Sequence, residues 1–139
     1  MKYKLILIPA IILLSYNNLT FNNDNEDQDL FVEFFYHNKE AKYPMRYSCG
    51  KLTSGKTDSK PNYKRINDKK FTEKVISYYS NLKNSKDERF DARIHLLVHS
   101  QKGVDTICMG MSFGIVVNGI TKEDSEEFAN FIKDEIYKE

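Results

Sequence analysis

Ten apolar residues in a row, Leu5 to Leu14, follow a short basic start, Met1-Lys2-Tyr3-Lys4, and show neither a helical nor a strand-like polar face. As a helix such a run spans about 15 Å, half of a bilayer core, and Pro9 weakens it further as a membrane span. The layout is that of a secretory signal peptide over residues 1–14, with cleavage expected within 15–20, although no small-x-small triplet follows Leu14. An uncleaved leader tethering the chain to a membrane is the alternative. Residues 15–28 are rich in Asn and Asp, offer little to bury and read as a flexible tether. One domain is expected over residues 29–139.

Within it, Leu30 to Tyr36 is aromatic and β-branched and reads as a strand buried on both faces and central in its sheet. Pro44 to Leu52 is expected as its partner strand. The Ser, Thr, Gly, Lys and Pro of residues 53–67 predict a loop. Phe71, Val75, Tyr78, Tyr79 and Leu82 recur at helical spacing behind a cap at Asn67 or Asp68. Ala92 to His99 alternates, with Ile94, Leu96 and Val98 on one face and Arg93, His95, Leu97 and His99 on the other. Lys102-Gly103 predicts a turn into Val104–Met111, and Asn118-Gly119 a second turn after Phe113–Val117. A helix near Lys122–Lys138, capped by Thr121 or Asp124, turns Phe128, Phe131, Ile132 and Ile136 inward. Short hairpins favour an α+β domain: a mainly antiparallel sheet of about five strands with two helices packed on one face.

Composition adds little to the class but redistributes the charge. The chain of 139 residues is near neutral at +1, yet residues 39–74 hold eleven Lys/Arg against four Asp/Glu, and residues 105–139 hold three against eight. The basic stretch interleaves Tyr47 and Tyr63 with Arg46, Lys51, Lys56, Lys60, Lys64 and Arg65, a candidate surface for a polyanion or a partner. Lys outnumbers Arg, which argues against bidentate phosphate recognition and against a specific nucleic-acid target. Two Cys, Cys49 and Cys108, are expected to form one disulfide in an exported chain. Such a bridge requires Cα atoms about 4.4–6.8 Å apart.

Three strings invite catalytic or ligand readings. Gly50-Lys51-Leu52-Thr53-Ser54-Gly55-Lys56-Thr57 matches the P-loop pattern in full. A phosphate cradle, however, needs a buried strand before it and a helix starting at its Lys-Thr end. Arg46-Tyr47-Ser48-Cys49 is not a buried apolar run, and Pro61 opposes a long helix beyond, so no nucleotide is expected. His95 and His99 have the spacing of a helical metal pair, but on a strand they lie about 13 Å apart, too far to share an ion. Cys108-Met109-Gly110-Met111 offers soft sulfur atoms that read as core packing. No catalytic, cofactor or metal residues are assigned. The expectation is a small exported, non-enzymatic binding module whose partner is a protein or an acidic envelope component. A small hydrolase-like or ligand-binding protein with a site assembled from distant residues is the alternative.

Overall fold

The computed structural model describes residues 30–42, 46–54, 59–87, 91–112 and 114–138. The leader, the tether, Lys56 and the Gly55–Thr57 end of the P-loop-like string lie outside the described residues. The fold is α+β: one antiparallel sheet with helices, as the hairpin spacing predicts, but with six strands rather than five. Chain order runs β1 (Phe31–Tyr36), α1 (Cys49–Thr53), β2 (Asn62–Ile66), α2 (Lys69–Ser80), β3 (Ile94–Ser100), β4 (Gly103–Met109), β5 (Ile115–Val117), β6 (Ile120–Lys122) and α3 (Glu126–Ile136). Across the sheet the order is β2-β1-β3-β4-β5-β6. The central places therefore fall to β3 and β4, and β1 stands one strand in from the edge.

The first face of the sheet is apolar by alternation. Val32 and Phe34 of β1, Ile94, Leu96 and Val98 of β3, Ile107 and Met109 of β4, and Ile115 and Val117 of β5 form one buried cluster. Val75 and Tyr79 of α2 and Phe128, Ile132 and Ile136 of α3 close it from above. Asp68 caps α2 by accepting a hydrogen bond from the Phe71 amide. For α3 the cap is Ser125, which accepts from the Phe128 amide, and Glu126 and Glu127 follow it in the first turn, favourable against the helix dipole. Asp124 is used differently, accepting from the Gly114 amide at 2.7 Å.

Two-residue turns fix the hairpin registers. Val117 pairs with Ile120 around Asn118-Gly119, whose φ angles of 49° and 79° are the left-handed values that an Asn-Gly turn supplies cheaply. Ser100 pairs with Gly103 in the β3–β4 hairpin.

Three local expectations are corrected. The partner strand of β1 is Asn62–Ile66, inside the stretch expected as loop, and Pro61 stands just before it, where an edge strand tolerates a proline. The segment expected as that strand instead ends in the short helix α1, so Cys49 opens a helix. Finally, β1 is buried on only one face: Val32 and Phe34 are inside, whereas Phe31, Glu33 and Phe35 are half-buried.

Candidate functional site

Alternation places a second set of side chains on the face away from α2 and α3. The strand pairings lay them out in cross-strand rows. One row runs Tyr63–Phe35–His95–Cys108–Val116, and the next runs Arg65–Glu33–Leu97–Thr106. A third brings Phe31, His99 and Val104 together.

Part of this face is covered. Tyr47, Leu52, Ala92 and Cys108 form a small buried cluster, with Cys49 and Val116 packed against it. Cys49 and Cys108 are disulfide-bonded, with Cα atoms 5.6 Å apart, so the segment 46–54 is stapled to the centre of the sheet. Polar contacts fix it further. The Ala92 amide donates to the Tyr47 carbonyl at 2.9 Å, and the Tyr47 amide donates to Asp91 Oδ1 at 3.0 Å. Arg93 donates to Asp91 Oδ2 through Nε and Nη2, and its guanidinium lies 5.2 Å from the Tyr47 ring centre. Beneath the staple sits His95, only 4% exposed, and burial pushes its imidazole below the ordinary histidine range.

The other part of the face stays open and is built around Glu33. Tyr63 Oη donates to Glu33 Oε1 at 2.7 Å, and His99 Nε2 lies 2.7 Å from Glu33 Oε2. Burial pushes the Glu33 carboxyl up, but the hydrogen bonds from Tyr63 and His99 and the charges of His99 and Arg65 outweigh it and hold it below the usual carboxylate range. The same hydrogen bond raises the Tyr63 phenol above its ordinary value. Phe31 is sandwiched: His99 stacks on it with ring centres 4.0 Å apart, and the Arg65 guanidinium lies 3.7 Å from its centre. Phe35 packs between Tyr63 and His95, with centres 5.3 and 6.3 Å away. Two of the large hydrophobic residues most exposed to solvent, Tyr63 at 54% and Val104 at 51%, project from this face.

The residues of the basic stretch do not form one surface. Tyr47 is 2% exposed and belongs to the small core under the staple. Lys64 alternates toward the helix layer and pairs with Glu135 at 2.8 Å. Arg65 and Tyr63 lie on the open face, while Arg46, Lys51 and Lys60 are exposed elsewhere along the connection. In the P-loop-like string, Gly50 to Thr53 are already helical, and Arg46 to Ser48, immediately before Cys49, form no strand. The helix thus stands inside the string, where a phosphate cradle requires a loop. His95 and His99 have different neighbours, the disulfide for one and Glu33 for the other.

A groove of about 350 Å³ beside the start of α3 is lined by Met111, Ser112, Asp124, Glu126 and Lys133, among others. The described groups whose ionisation is displaced by their surroundings, Glu33, His37, Tyr63, Tyr78, Tyr79, His95 and Glu135, do not line it. Among the described residues, no helix is long and apolar enough to cross a membrane. No family model, curated protein or solved structure matches the chain.

Proposed function

We propose that this chain is an exported, non-enzymatic binding module and that its partner is a protein docking on the open part of the second sheet face. The observation carrying this reading is the cluster of Phe31, Phe35, Tyr63, Arg65 and His99 held in place around Glu33. Aromatic residues and Arg supply most of the binding free energy at protein interfaces. Here they are already fixed by stacking and hydrogen bonds, so less side-chain freedom is lost on association. An acidic polymer is the weaker fit, because Arg65 already engages Phe31 and Asn67, and Lys64 is neutralised by Glu135. The basic leader pattern and the Cys49–Cys108 bridge support an oxidising compartment outside the cytoplasm.

The test is capture from the native envelope fraction with the wild-type chain and with a Tyr63→Ala/Arg65→Ala variant. A protein retained by the wild type at moderate salt and lost by the variant, with the melting temperature unchanged, is the expected result. Equal capture by both, or retention that vanishes with salt alone, contradicts it.

A further inference from the structure

Among the described residues, His95 is a buried polar group whose position packing alone does not explain. It is 4% exposed, and neither Nδ1 nor Nε2 has a hydrogen-bond partner among the described residues. Leaving a buried polar group unmatched costs about 1–3 kcal/mol, and such groups are rare enough in folded proteins to require a reason. Its neighbours suggest one. His95 stands directly across from Cys108 in the β3–β4 register, and α1 brings Cys49 onto the same spot. One ligand atom from each of the three residues lies within 4.8 Å of the other two.

We infer that in the reduced protein Cys49, Cys108 and His95 form a binding site for one thiophilic d¹⁰ cation, Zn(II) or Cu(I). In the oxidised protein the two sulfurs are bonded to each other and the imidazole is idle. Two molecules of a low-molecular-weight thiol supply two electrons and two protons. The S–S bond breaks, both cysteines become thiols, and the reductant leaves as its own disulfide. The cation then displaces the two thiol protons to solvent and takes both thiolates together with the lone pair of one imidazole nitrogen.

Ligand atoms at ordinary Zn–S and Zn–N distances around one tetrahedral ion stand about 3.5–3.8 Å apart, so on reduction the two sulfurs part by about 1.7 Å from the ordinary disulfide bond length, while the imidazole, within 4.8 Å of both, has little to move. Cys108 is fully buried, while Cys49 is half-buried at the start of the exposed helix α1, which leaves its side as the approach for reductant and ion. Two thiolates and a neutral imidazole cancel the charge of Zn(II) but leave a buried negative charge with Cu(I), which favours Zn(II) of the two. In either redox state α1 stays fastened across the sheet, by a bond or by an ion.

The test uses the full-length chain, reduced anaerobically with a phosphine, freed of reductant and titrated separately with Zn(II) and Cu(I) against a competing chelator. Co(II) serves as a spectroscopic probe of thiolate ligation. Expected are a 1:1 complex with at least one of the two ions, a sulfur-to-Co(II) charge-transfer band, and an affinity lowered about tenfold or more in His95→Leu. The oxidised His95→Leu protein is expected to melt no lower than the wild type, which separates loss of a ligand from loss of the fold. Should reduction unfold the chain, recovery of its far-UV circular dichroism on adding the ion is the binding signal. Failure of both ions to bind at 1:1 or to restore the fold overturns the inference, and so does unchanged affinity in His95→Leu.

Discussion

Strand β3 shows the two faces of the sheet side by side. Ile94, Leu96 and Val98 point to the helices and are fully buried, whereas His95, Leu97 and His99, one residue out of step, pass from the disulfide staple to an open surface. The first face is apolar across four strands and closed by two helices, so its side chains serve stability and little else. The second face is divided. Where α1 covers it, the cover is small and held by a covalent bond, and where α1 stops, aromatic, basic and acidic groups are held in a hydrogen-bonded cluster at the surface. The difference separates residues whose loss should be felt in folding from residues whose loss should be felt in binding.

Truncating one phenylalanine on each face should separate the two most strongly. Phe128→Ala, in the closed core, should cost about 3–5 kcal/mol and lower the melting temperature by about 10 °C or more. Phe35→Ala, on the second face, should cost about 1 kcal/mol. Equal losses in thermal denaturation would mean that the second face is also core. Removing the staple comes next. The bridge closes a loop across a sequence separation of 59, and the chain-entropy model assigns it about 4 kcal/mol. Reductant should lower the wild-type melting temperature, and a Cys49→Ser/Cys108→Ser variant should be insensitive to it.

His95→Leu should sharpen the picture inside the covered part. Burial holds the folded imidazole below its ordinary 6.5, so its neutral form contributes stability that is complete above that value and is lost as pH falls below it. The variant should be about 1–3 kcal/mol more stable near neutrality and should show a flatter stability profile just below pH 6.5. The smallest effect is expected at Glu33. Its folded carboxyl titrates below its ordinary 4.5, so its contribution is complete above that value and fades as pH falls through the lower folded value. Glu33→Gln should remove that acid-dependent part and little else, as read from chemical denaturation between neutral and acid pH.

The first face was legible in the sequence because strict alternation in Ile94, Leu96 and Val98 and helical spacing in Val75, Phe128 and Ile132 have few other physical readings. The Cys49–Cys108 pairing was legible from the count of two cysteines together with an expected export. Strand β2 was not, because its helix-side position Lys64 is a charge, and only the tertiary contact to Glu135 makes that position tolerable. Pro61 at its start was the usable signal. Helix α1 has five residues, too few to show a period, and Leu52 and the disulfide rather than helix propensity hold it down. Ser125 ahead of two glutamates was a readable cap signal that Thr121 and Asp124 obscured. Of the open site, Tyr63 and Arg65 could be picked out as basic-aromatic residues. Phe31, Glu33, Phe35 and His99 could not, since the pairing of β1 with β2 and β3 that assembles them is non-local.

A docking surface on the open part of the second face would bring a partner protein within cross-linking reach of Tyr63. Replacing Tyr63 with a photoreactive aromatic amino acid in the full-length chain, and irradiating it in its native envelope, tests this directly. The control is the same replacement at Lys70, exposed on α2 behind the helix-covered face. A discrete cross-linked protein adduct from position 63 and none from position 70 is the expected result. No adduct at 63, or the same adduct from both positions, would contradict it.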